Sequence, residues 1–144
     1  MPFTDYFAAP SDAAAARVAG AADPEKAGFQ TVFAKNLDPV IVIGRLESVL
    51  TGTSFEAVRG SERHGHLVSE PGDSLVIAVT TTLRDALAKL DPALVVPSAV
   101  EWAAIEEFQG LFPVDFLALM LRQLSGLAAD AVSRSEQLYC CWSL

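Results

Sequence analysis

The sequence holds only two cysteines and two histidines. The cysteines, Cys140 and Cys141, are neighbours. Adjacent residues on a strand point to opposite faces, so a bridge between them would be strained. With no third thiol, a disulfide framework is excluded, and buried reduced thiols are the expectation. The glycines form none of the phosphate-cradling or nucleophile-bearing patterns: Gly-x-Gly-x-x-Gly, the Walker loop and Gly-x-Ser-x-Gly are all absent.

Basic residues are scarce as well. Ten Lys and Arg stand against 18 Asp and Glu, a net charge of −8. A nucleic-acid surface needs the opposite sign, so no nucleic-acid partner is expected. A basic protein suits this balance better. The most apolar run, Leu111 to Leu121, contains Asp115. It is shorter than the roughly 20 residues of a spanning helix, so neither a span nor a membrane partner is expected. The start, Met1-Pro2-Phe3-Thr4-Asp5-Tyr6-Phe7, has neither the basic opening nor the apolar stretch of a secretion signal. The expected compartment is the cytoplasm.

What the chain does hold is apolar bulk. Hydrophobic residues make up 51% of 144 residues, with eight Phe and two Trp, and the mean hydropathy is +0.34. That fits one folded domain over residues 1–144 rather than a disordered chain. Phe3 to Ala8 reads as a strand. Pro10-Ser11-Asp12 ahead of an alanine run closed by Gly20 frames a helix near 11–19. Phe29 to Ala34 reads as a second strand. Asp38 as N-cap and Pro39 at the first helical position open a helix to about Leu50, with a stripe of Ile43, Leu46, Val49 and Leu50 and a stop at Gly52. Residues 53–74 are the least regular. Leu75 to Val79 fits either a buried strand or a helix start.

Thr82 with Asp85 resembles a capping box ahead of Leu83, Ala86, Leu87 and Leu90, and Asp91-Pro92 breaks that helix. Ser98 with Glu101 repeats the pattern and opens a helix to about Gln109. Pro113 begins the longest helix, which ends near Ser133. Its wide apolar arc through Leu117, Leu121 and Leu124 marks it as buried and central. Leu138 to Trp142 reads as a closing strand. Strands at both ends with helices between favour an α+β fold: a small mixed or antiparallel sheet holding the N- and C-terminal strands, against about five helices.

Three segments carry a family likeness: Asp5-Tyr6-Phe7-Ala8 in the first strand, Lys35-Asn36-Leu37-Asp38-Pro39 leading to Leu50-Thr51-Gly52-Thr53-Ser54, and the late order of helices, long helix and apolar strand. In these the chain resembles the YfbM-like family of uncharacterised bacterial proteins. The resemblance implies a compact α+β domain and brings no activity with it. Where that family carries an aromatic and a His in the helix before Leu-Thr-Gly, this chain reads Val40-Ile41-Val42-Ile43-Gly44-Arg45-Leu46.

Few side chains stand out for chemistry. On a strand His64 and His66 would share a face and could hold one metal with Glu62 or Glu70, but nothing at fixed spacing completes a zinc set, so no metal and no cofactor is expected. Apolar neighbours would raise rather than lower the pKa of Cys140 and Cys141, against a thiol nucleophile. Glu106 and Glu107 diverge by about 100° on a helix and cannot act as a facing pair.

Two functions remain. The first is a non-enzymatic acidic module, of the inhibitor or immunity type, docking a basic protein. The second is a small-molecule-binding domain or enzyme with a site of Asp5, Tyr6, Lys35, Trp102 and Glu106, because aromatics with a few convergent polar groups make ligand pockets. Either a monomer or a homodimer fits.

Overall fold

The computed structural model describes residues 3–21, 23–34 and 36–143. Four strands form one sheet: β1 (Phe3–Ala9), β2 (Thr31–Phe33), β3 (Ser74–Ala78) and β4 (Gln137–Ser143), in the order β2-β1-β4-β3. Every pairing is antiparallel, with Tyr6 opposite both Val32 and Cys140, and Ile77 opposite Cys140. The two terminal strands are the central pair. The fold is α+β, as the element order implies.

Both faces of the sheet are covered, which is why β1 and β4 read as near-continuous apolar runs instead of alternating ones. On one face Tyr6, Ala8, Val32, Leu138 and Cys140 meet the main core. That core gathers α3 (Ile41–Thr51), α5 (Thr81–Ala88), α6 (Val95–Ala103) and α7 (Val114–Ser133). The stripes of Ile43 and Leu46, Leu83 and Leu87, and Leu117, Leu121 and Leu124 all converge there. On the other face Phe7, Val76, Tyr139 and Cys141 pack under α1 (Asp12–Ala16) and α2 (Val18–Ala21). Cys140 and Cys141 are buried on opposite faces and are unbridged.

Several local expectations shift. The helix near 11–19 is two short pieces broken at Arg17, with Ser11 as the cap. The Asp38 carboxylate accepts from the amides of Val40 and Ile41 at 2.8 Å, but Val40 rather than Asp38 is the cap residue, the helix starts at Ile41 and Pro39 stays in the preceding turn. Leu75 to Val79 resolves into β3. The cap of α5 is Thr80 rather than Thr82; its Oγ1 accepts from the Leu83 amide at 3.1 Å, while Asp85 turns to Arg84. No capping box opens at Ser98. There α6 already runs from Val95 through Pro97, which the first turn tolerates because its N–H groups have no helical partner. Only a single 3-10 turn, Glu106–Phe108, follows it. The irregular stretch contains a helix that patterning missed, α4 (Phe55–Arg59), capped by Ser54 at 3.2 Å from the Ala57 amide.

By length and composition α7, with 20 residues and a hydropathy of 1.2, could cross a membrane. The apolar run is thus longer than Leu111 to Leu121 suggested. In this fold its inner face is core, with Leu117, Leu121, Leu124 and Leu127 buried, while Arg122, Gln123 and Asp130 face outward.

Candidate functional site

The aromatic residues marked as ligand contacts are structural. Tyr6 and Trp102 are 1% and 0% exposed within the main core. The Tyr6 hydroxyl donates to the Leu37 carbonyl, and Trp102 Nε1 donates to the Val42 carbonyl at 3.2 Å. Their polar atoms are spent on backbone, as buried polar groups must be. Asp5 points to the opposite sheet face from Tyr6, one residue along β1, and burial pushes its carboxyl above the usual range, helped by Asp23. Glu106 is exposed on the 3-10 turn, and Lys35 lies outside the described residues. Of the described four, Tyr6 and Trp102 lie inside the core while Glu106 is on the surface and Asp5 is on the other sheet face, so they do not converge.

Nor do the histidines act together. Between them Gly65 takes a positive φ of 67°, so residues 64–66 turn instead of extending. His66 lines a cavity with Asp12, Glu62 and Arg63. His64 lines a different one. Among the described residues no group of three metal-ligating side chains comes together.

The cavity at His64 brings two arginines, a glutamate and an aromatic ring together. It is a groove of about 410 Å³ between the start of α3, α4 and the 3-10 turn, lined by Val40, Ile41, Arg45, Phe55, Arg59, His64 and Glu107. Phe55 and Arg59 are four apart on α4 and so share a face. The Arg59 guanidinium carbon sits 5.7 Å from the Phe55 ring centre, and that of Arg45, reaching in from α3, sits 4.2 Å away. Both are within cation–π range. Arg45 also pairs with Glu107 at 3.2 Å, while its Nε is buried without a hydrogen-bond partner among the described residues.

His64 closes the groove. Its ring and that of Phe55 both rest on the bare backbone of α3, where a Cβ on Gly44 would come within 2.7 Å of His64 Cε1 and 2.8 Å of Phe55 Cε1. Burial lowers the His64 pKa, partly offset by Glu47, so the imidazole is neutral near pH 7. Its Nε2 is also buried and unpartnered among the described residues. Glu47 lies one turn beyond Gly44, 5% exposed, and accepts from the Thr80 hydroxyl.

The segment bearing His64 is held from behind by its neighbour. Arg63 pairs with Asp12 at 2.9 Å and donates through Nε to the Val79 carbonyl at 3.2 Å. Tyr139 donates to the same Asp12 carboxylate at 2.5 Å. These bonds, from Arg63 first and Tyr139 second, hold the Asp12 carboxyl below its usual range. Burial, then the bond to Asp12, pushes the Tyr139 phenol up to about 12.

No protein-family model matches the chain, and no curated protein matches it. The fold is similar to a solved structure, the protein of unknown function YfbM from Escherichia coli. The two are 12% identical, with a TM-score of 0.48 over 97% of this chain and 99% of that one. That is the family which the first strand and the Leu37-Asp38-Pro39 helix start resemble.

Sequence reasoning passed over Arg45, Phe55 and Arg59. A signal was present: Ser54 is a good N-cap, and Phe55 and Arg59 follow at the spacing that places an aromatic under a cation. Gly44 in the middle of an apolar helix was a second sign, because a glycine there weakens the helix unless something approaches it closely.

Proposed function

We propose that this chain is a binding protein for a small organic oxyanion, a carboxylate or phosphate ester on a compact apolar body, seated in the groove of Arg45, Phe55, Arg59 and His64. The observation that supports it is the pair of guanidinium groups held against one aromatic ring, beside the half-buried imidazole of His64, in a chain of net charge −8. Guanidinium groups match carboxylate and phosphate in a forked, two-bond geometry. Val40 and Ile41 offer the apolar wall, and the volume is in the range of ligand pockets. Glu107 pairs with Arg45 at 3.2 Å and so fixes that guanidinium at the groove. The alternative, docking of a basic protein, rests on net charge alone.

A thermal-shift series with benzoate, phenyl phosphate, citrate and choline tests this. The aromatic oxyanions should raise Tm in a concentration-dependent way, as any ligand of the native state does. Choline should leave it unchanged, and Arg59→Gln should remove the response. A flat series for every oxyanion, or a response that Arg59→Gln leaves intact, would refute the reading.

A further inference from the structure

The two edges of the sheet are treated differently. Along β3 the segment 66–69 covers the outer side: Val68 donates to the Val76 carbonyl at 2.9 Å, Ala78 to the His66 carbonyl at 2.8 Å, and Val76 to Ser69 Oγ at 2.9 Å. The other edge, β2, has no such cover among the described residues. Ala34 donates to Thr4, and Val32 lies opposite Tyr6 two residues back. In an antiparallel ladder that alternation turns Val32's backbone groups toward β1 and those of Thr31 and Phe33 outward. An open edge of this kind is a template for another strand.

Beside β2 runs a groove of about 560 Å³ whose other wall is α7, with Val32, Met120 and Leu127 as buried apolar floor. At the middle of that wall sits Gly126. It is exposed, and a Cβ there would meet nothing within 4 Å. Glycine in a helix interior is less stable than alanine, and nothing in this chain's own packing asks for it. One turn to either side stand Arg122 and Asp130. Among the described residues Arg122 joins no ion pair, and the Asp130 carboxylate accepts only from Gln30 Nε2, at 2.9 Å.

These features have a common centre, and we propose that a second copy of this chain occupies the groove. Its β2 adds antiparallel to β2, Val32 facing Val32, with Thr31 and Phe33 exchanging bonds across the seam. The two-fold axis stands perpendicular to the extended sheet and brings the two α7 helices side by side and antiparallel on the same face. They approach most closely at Gly126, where the missing side chain lets the backbones near each other. Position 122 then faces position 130 of the other copy, so Arg122 meets an aspartate twice, once on each side of the axis. An interface of this kind is self-complementary, as two-fold dimers require, and the charge pair fixes register.

Sedimentation of the full chain from micromolar to millimolar concentration tests this. The expected result is a concentration-dependent mass reaching twice that of the chain. Gly126→Gln should weaken the dimer about tenfold or more without lowering Tm in dilute solution, because the added side chain enters open space in one copy. Arg122→Asp should weaken it too, and the double variant Arg122→Asp/Asp130→Arg should restore it. A monomer throughout the range, leaving β2 open to some other strand, overturns the proposal. So does a dimer that neither Gly126→Gln nor Arg122→Asp disturbs.

Discussion

His64 rests on Gly44. The absence of a side chain at one position of α3 lets an imidazole from a distant turn come up against the helix, and the Phe55 ring edge does so too. The groove therefore depends on a residue that touches no ligand. Gly44→Ala sets two effects against each other. Alanine improves the helix by about 1 kcal/mol, and the extra methyl overpacks the site at a cost of about 1–3 kcal/mol. Because the atoms met are side-chain rings, the shift falls on His64 and Phe55. Stability by urea titration should change by no more than about 2 kcal/mol, while phenyl phosphate affinity drops by about tenfold.

Trp102 should behave in the opposite way. Its ring is fully buried and its Nε1 bonds the Val42 carbonyl. Trp102→Phe keeps most of the apolar area and removes the donor, leaving a buried acceptor short of a partner, at a cost of about 1–3 kcal/mol. Urea unfolding should show that loss. Oxyanion affinity should be unchanged, since Trp102 does not reach the groove.

Stability should fall at both ends of the pH scale. On the alkaline side, burial raises the pKa of Cys140 and Tyr6 well above their ordinary 9.0 and 10.0. Cys141 is raised in the same direction, and Tyr139 goes to about 12. Above about pH 9 the unfolded chain releases protons that the folded chain keeps, so unfolding becomes easier as pH rises. On the acid side, His64 has a lowered pKa through burial, and Asp12 a lowered one through Arg63 and Tyr139. The unfolded chain then takes up protons first. His64 costs stability as pH drops below its ordinary 6.5, and Asp12 does so further down, below its ordinary 3.8. Asp5, raised by burial, acts the other way and softens the acid loss. Thermal midpoints across pH should rise from acid to neutral and fall beyond pH 9. In Tyr139→Phe the alkaline fall should be shallower.

Arg63 should matter through the backbone it holds. Its pair with Asp12 is partly exposed and is worth little as an ion pair, yet with the Val79 carbonyl it ties residues 61–66 to the sheet. Arg63→Ala should leave global stability within about 1 kcal/mol and speed hydrogen exchange at the His64 and His66 amides.

The architecture was legible because it rests on periodicity. The stripes on α3, α5 and α7 and the apolar terminal strands each show which face is buried, and together they allow one interior. Exact starts were less legible. Thr80 and Thr82 are chemically alike, and the chain caps with the one whose hydroxyl also reaches Glu47. The site was legible least. Tyr6 and Trp102 look like binding residues because each carries a polar atom on an aromatic body, but a nearby carbonyl absorbs that atom and the ring becomes core. Arg45 and Arg59 look like ordinary surface charge until the fold sets them against one ring. The i, i+2 spacing of His64 and His66 implied a shared face only for a strand, and Gly65 removes the strand.

The most direct test of the groove is an amide NMR titration of the full chain with phenyl phosphate. Saturable shifts should cluster at Gly44, Arg45, Phe55, Arg59 and His64, and Arg45→Gln should abolish them while the rest of the spectrum stays folded. Shifts that scatter over the surface, or that survive Arg45→Gln, would contradict the assignment of this groove as the ligand site.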